Sequence, residues 1–194
     1  MQKIILATTS KTRIAAFELL NLDFITIGSN VYEYSKDRPT YPDKLVQYLS
    51  KLKAEAVDVQ SEEGIIMGFD SVGYFNGEIL EKPKSREEAF QRLLSLSEKS
   101  FIFYTGIHII NTYISKTSSQ VIQTKVKMRE ILEKEINKYL DDDPDYKLFA
   151  LGFNPWRSYA STFIKEISGS YNNVLRGIPL EVVMEMLFDI GYTL

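Results

Sequence analysis

The chain has no cysteine among its 194 residues, which excludes both a disulfide framework and a thiolate metal site. It has one histidine, His108, and that residue lies in an apolar stretch, so core packing suits it better than catalysis. No run approaches the roughly 18 apolar residues that a membrane span requires. The start, Met1-Gln2-Lys3-Ile4-Ile5-Leu6, is too short for a signal peptide and reads as a strand. The formal charge of −3 supplies no broad positive footprint for nucleic acid. There is no G-x-x-x-x-G-K-[ST] phosphate loop, no internal repeat and no low-complexity tract. These absences point to a soluble, cytosolic protein with no membrane or nucleic-acid partner, in which any anion site is local.

What is present is an ordinary globular composition, 44% apolar and 25% charged, enough for a sizeable core. Lys3–Ala7 reads as a buried strand. A helix follows to about Leu20 with Ile14, Phe17 and Leu20 at helical spacing, and Phe24–Ile27 is a short strand. Ser29–Tyr41 is polar and irregular. Thr40, Pro42 and Asp43 then open a helix whose apolar stripe is Leu45, Leu49, Leu52 and Ala56. Gly64–Phe75 is strand-like and ends at Asn76-Gly77, a hairpin turn pair. Ser85–Glu88 is a capping box for a helix through Leu96. Ser100–Ile114 and Gln120–Met128 read as long strands, Ile131–Leu140 as a helix, Phe163–Ile167 as a strand and Pro179 as the start of a last helix. Early alternation of strands and helices, with a hairpin between, predicts an α/β fold on a mixed sheet.

Thr8-Thr9-Ser10-Lys11-Thr12-Arg13 gathers four hydroxyls and two cations where a strand passes into a helix. Free N–H groups and the helix dipole suit a phosphate there, and the same residues suit a plain helix cap. Asp70, in Gly68-Phe69-Asp70-Ser71, is an acid inside an apolar strand. Such an acid is costly unless it is paired, hydrogen-bonded or bound to a cation, so a metal ligand, a general base and a backbone-satisfied acid all fit. Lys82, before Pro83, can place a point charge on a polyphosphate or simply face water. Lys53 lies beside the second helix's apolar stripe, where a lysine also snorkels. Asp141-Asp142-Asp143-Pro144-Asp145 reads as a solvated loop, and Gly169-Ser170-Tyr171 as a tight turn. Together the scattered cations, strand acid and helix-start anion site fit a metal-bound polyphosphate.

The order and spacing of these pieces resemble the Maf family of nucleotide pyrophosphatases over nearly the whole chain, taken as a single domain spanning 1–194. Leu6-Ala7-Thr8-Thr9-Ser10-Lys11-Thr12-Arg13 resembles the family's L-A-S-x-S-P-R-R, and Leu49–Ala54 its L-A-x-x-K-A. Gly68-Phe69-Asp70-Ser71-Val72 resembles G-A-D-T-V, and Asn76–Pro83 the hairpin N-G-E-x-L-x-K-P. Thr124–Arg129, Ile167–Tyr171 and Gly177–Leu180 are similar to T-x-V-x-F-R, I-x-G-S-Y and G-L-P-L.

The resemblance implies an elongated mixed sheet with flanking helices and two lobes around a central cleft, similar to inosine-triphosphate pyrophosphatases. It implies hydrolysis of a (deoxy)nucleoside triphosphate to the monophosphate and pyrophosphate with Mg²⁺ or Mn²⁺, and allows removal of non-standard nucleotides as a role. It also carries a septum-formation association, so a nucleotide-binding regulator of cell division is the alternative. A homodimer is left open. By position, Asp70 takes the catalytic and metal role, with Glu33 as second metal ligand. Ser10, Lys11, Arg13, Lys53, Lys82 and Lys147 take substrate or phosphate contacts. Thr12, Ser71 and Asn154 take the positions associated with base choice. The family's Pro-Arg is Lys11-Thr12 here, and Asn154 stands near its glutamine. The resemblance therefore implies kept chemistry with a changed substrate-recognition edge.

Overall fold

The computed structural model describes residues 2–58 and 63–194. Strands and helices alternate along the first third of the chain: β1 (Ile4–Leu6), α1 (Lys11–Glu18), β2 (Phe24–Thr26), α2 (Pro42–Asp58) and β3 (Ile65–Phe75). Then follow β4 (Glu78–Leu80), α3 (Arg86–Leu96), β5 (Ser100–Asn111), β6 (Lys116–Met128), α4 (Glu133–Asp142), β7 (Ile164–Ser168), α5 (Tyr171–Arg176) and α6 (Leu180–Asp189). The strands form one mixed seven-stranded sheet in the order β2-β1-β3-β5-β6-β7, with β4 on β3. The fold is thus α/β with a mixed open sheet and flanking helices, as its alternating pattern predicts. By contacts the chain divides into two compact units, Met1–Asp70 with Thr105–Ile122 and Arg176–Leu194, and Ser71–Tyr104 with Gln123–Leu175.

In the first unit β1 runs parallel to both neighbours, Ile4 opposite Phe24 on one side and Ile65 on the other. Parallel strands are covered on both faces, so β1 is apolar at every position. One face packs Ile4, Leu6 and Phe69 with Phe17 of α1 and Val183, Met186 and Leu187 of α6. The other packs Ile5 and Ile66 on Ala54 and Val57 of α2. Helix α1 ends at Glu18, so of its expected stripe only Phe17 is fully buried.

Helix α2 departs from its predicted stripe in an instructive way. Leu45 and Leu49 are buried as expected, but Leu52 and Ala56 are only partly covered, while Val46, Ser50, Ala54 and Val57 face the core. The reason is glycine on the sheet. A Cβ at Gly68 would fall 2.1 Å from the Ser50 carbonyl oxygen, and one at Gly106 2.1 Å from that of Val46. With no side chain at either place, the helix backbone lies directly on the strands and turns its small residues inward. Buried Ser50 satisfies its own hydroxyl, donating to the Gln47 carbonyl at 3.0 Å.

The second unit is built around the β3–β4 hairpin and strands β6 and β7. Asn76 and Gly77 both take positive φ, 50° and 87°, and close a two-residue turn between Phe75 and Glu78. Ser85 caps α3, its Oγ accepting from the Glu88 N–H at 3.1 Å. Leu93, Leu96, Phe101, Phe103, Val126 and Tyr139 form this unit's core.

Three short elements escaped sequence reasoning: the 3-10 turns Pro144–Leu148 and Tyr159–Thr162, and α5. The acidic run is not a simple loop either. Asp141 and Asp142 belong to α4 and pair with Arg86 and Lys138 at 2.5 and 2.6 Å, while the Asp143 carboxylate caps the following 3-10 turn. Those pairings offset acids at the unfavourable end of a helix dipole.

Candidate active site

The Gly68 contact decides what stands near Asp70. Alternate strand residues share a face, so Asp70 looks toward α2 as Gly68 does. Lys53 precedes Ala54, the residue seated on Gly68, and its ammonium meets the Asp70 carboxylate at 2.7 Å. The same ammonium meets Glu33, from the irregular segment after β2, at 2.8 Å. The Lys53 and Asp70 side chains are nearly enclosed, at 12% and 10% exposed, whereas Glu33 retains 39%. Lys53 is therefore the hub of a buried cluster rather than a snorkelling surface lysine.

Arg13 completes this cluster from α1. Its Nε donates to the Gly177 carbonyl at 2.9 Å and its Nη1 to the Phe69 carbonyl at 3.2 Å, with the guanidinium 5.9 Å from the Phe69 ring centre. Those bonds pin a second cation one residue from Asp70. Ser10 caps α1, its Oγ accepting from the Arg13 N–H at 3.4 Å, and its own N–H donates to Thr8 Oγ1 at 3.1 Å. Lys11 is exposed and Thr12 half-buried on the first helical turn.

Burial dominates the acidity of Asp70 and raises its pKa above the usual carboxylate value, against the pull of Lys53 and Arg13 and with a further push from the Glu33 charge. Burial likewise lowers Arg13, opposed by the charges of Asp70 and Glu33. A carboxylate whose proton affinity is raised in a site rich in cations is suited to accept a proton from water.

The remaining candidates belong to the second unit. Ser71 follows Asp70 on β3 and is half-buried. Lys82 is exposed after β4, and Lys147 is exposed on the 3-10 turn. Asn154 is buried, its Oδ1 accepting from the Trp156 N–H at 3.0 Å and its backbone N–H donating to the Tyr139 hydroxyl at 3.2 Å. Its side-chain oxygen thus shapes a local turn. His108, by contrast, belongs to the first unit and is buried with Nδ1 2.6 Å from Ser119 Oγ, and burial lowers its pKa.

Sequence reasoning named Arg13, Glu33, Lys53 and Asp70 one by one but missed that a single ammonium joins the two acids. The available signal was small residues on both partners, Gly68 on the strand and Ser50 and Ala54 on the helix. Among the described residues no three histidine or acidic side chains gather at one point. The chain therefore offers a divalent ion the two carboxylates of Asp70 and Glu33. Hard oxygen donors, few from protein and the rest from water and phosphate, are the usual set for Mg²⁺, so these residues fit such an ion.

An α/β protein with an enclosed cluster of acids and cations at its sheet is the class this fold and site define, and sequence comparison makes the class specific. Residues 3–190 match the Maf-like protein family model, and the chain belongs to that family. It is 36% identical to a dTTP/UTP pyrophosphatase of Syntrophus aciditrophicus, covering 98% of this chain and 91% of that one. It is 34% identical to a dTTP/UTP pyrophosphatase of Clostridium perfringens over 99% of both chains. Among solved structures, the Staphylococcus aureus Ham1 protein aligns with a TM-score of 0.46 at 16% identity, over 66% of this chain and 73% of that one. No helix among the described residues is long and apolar enough to cross a membrane.

Proposed function

We propose that this protein is a nucleoside triphosphate pyrophosphatase that cleaves between the α- and β-phosphates to give a monophosphate and pyrophosphate. The observation that carries the reading is the enclosed Lys53 ammonium shared by Asp70 and Glu33 in a member of the Maf-like family. Asp70 and Glu33 are the residues to hold Mg²⁺ or Mn²⁺, which when bound supplies positive charge against the triphosphate. Asp70 accepts a proton from the water that attacks the α-phosphorus. The α–β anhydride bond breaks, and pyrophosphate leaves with the electron pair. Lys53 and Arg13 offset negative charge on the phosphates. Phosphoryl transfer draws most of its acceleration from such positioning and charge. Ser10, Lys11, Lys82 and Lys147 are further candidates for phosphate contact.

The relatives' names make dTTP and UTP the first substrates to test. The altered positions Thr12 and Asn154 argue for a panel that includes modified bases. The purified protein with Mg²⁺ and each nucleotide is expected to release monophosphate and pyrophosphate in equal amounts. Orthophosphate in place of pyrophosphate, or no hydrolysis across the panel, overturns the assignment. No observation favours the regulator alternative.

A further inference from the structure

In this structure the two acids assigned to the metal are already occupied by a cation of the chain's own. By residue type, Asp70 and Glu33 bring two acidic groups and Lys53 and Arg13 two basic ones, so the set is formally balanced. A divalent ion entering alone would leave two unmatched positive charges in an enclosed place, which is costly. A triphosphate reverses that balance. Of the two resident cations, only one is free to change partners. Arg13 is held by the Gly177 and Phe69 carbonyls. Lys53 carries its charge on a flexible four-carbon stem, and its ammonium bonds to the two acids themselves.

We propose that Lys53 is a positioning residue that holds the place of the metal. It keeps the Glu33 and Asp70 carboxylates together while the site is empty of nucleotide. It gives them up to the divalent ion when a triphosphate arrives to accept the ammonium. Both oxygens lie within hydrogen-bond reach of one nitrogen, so the two acids that would hold the ion are already gathered around a single positive charge. The free protein therefore binds metal weakly, and the ion is captured together with the nucleotide. This inference rests on the pyrophosphatase reading for the identity of the nucleotide, but not for the competition between Lys53 and the ion.

The test is Mn²⁺ binding followed by electron paramagnetic resonance. Wild type, Lys53→Gln and Lys53→Met are compared without nucleotide, then with a nucleoside triphosphate carrying a methylene between the α- and β-phosphorus. Circular dichroism selects the folded variant, glutamine being the milder replacement. Without nucleotide, removing the ammonium is expected to tighten Mn²⁺ about tenfold or more, because it leaves two carboxylates uncompensated. Adding Asp70→Asn to the same variant is expected to abolish the gain. In wild type the analogue should tighten Mn²⁺ by a similar factor, and in the lysine variants by much less. Equal or weaker Mn²⁺ binding in the lysine variants overturns the proposal, as does a gain that survives Asp70→Asn. Failure of the analogue to bind wild type counts against the pyrophosphatase reading, while the nucleotide-free comparison still decides the role of Lys53.

Discussion

Asp70 and Glu135 each face a cation, yet their acidities are driven in opposite directions. Glu135, in the second unit, takes two bonds from Arg129 at 2.8 and 3.1 Å, one from the Tyr159 hydroxyl at 2.7 Å and one from the Leu132 N–H at 2.9 Å. Those donors, Arg129 first, lower its pKa to about 2. Arg129 itself is tied to the Thr162 carbonyl at 2.7 Å and lies over the Phe163 ring at 5.7 Å. Asp70 has one enclosed ammonium in place of several donors, and burial outweighs it, so its pKa rises. A carboxylate surrounded by donors is spent on the fold. A carboxylate kept buried with a single ammonium partner retains a raised proton affinity that chemistry can use.

The largest expected effect separates the two acids by rate. Asp70→Asn is expected to lower kcat by about 10²–10⁴, the usual worth of a general base. Glu135→Gln should keep its kcat. Steady-state pyrophosphate release on both variants breaks the contrast if their rates fall alike.

Next comes the contact that sets the Lys53 geometry. Gly68→Ala pushes α2 off the sheet and is expected to cost about 1–3 kcal/mol, the usual cost of overpacking. Because α2 carries Lys53, the rate should fall as well. Urea denaturation paired with kinetics checks it, and a variant as stable and active as the parent refutes the packing argument.

Lys82→Ala is expected to reduce kcat/KM about tenfold, near the value of one charge-assisted hydrogen bond. An unchanged kcat/KM removes Lys82 from substrate binding.

Glu135→Gln should lose about 1–2 kcal/mol of stability in urea at neutral pH, the pair being partly open to water.

The smallest effect is in its pH dependence. Glu135 has a folded pKa below its unfolded value of 4.5, so its contribution is full above that value and is lost as pH falls toward about 2. The stability gap between wild type and Glu135→Gln should therefore close over that range. Asp70 has the opposite sign. Its ionised form opposes folding at neutral pH, and that cost is relieved as pH falls through its raised pKa. A gap that stays constant down to pH 2 removes Glu135 from this account.

Much of this molecule is legible from local chemistry. The apolar run of β1, the Asn76-Gly77 turn and the Ser85 cap are each signalled by residues within a few positions of one another, so the local sequence reports them. The order of motifs from Ser10 to Pro179 likewise determined the family and singled out Asp70. Tertiary structure decided which face of α2 is inward. Gly68 and Gly106 admit that helix from strands distant in sequence, and no periodicity within α2 reports on them. It also decided that Lys53 is enclosed between two acids rather than lying along the surface, and that the Asn154 side-chain oxygen serves a turn. Charge type is written in a sequence. Burial, which raises the pKa of Asp70 while donors lower that of Glu135, exists only once the chain has folded around both.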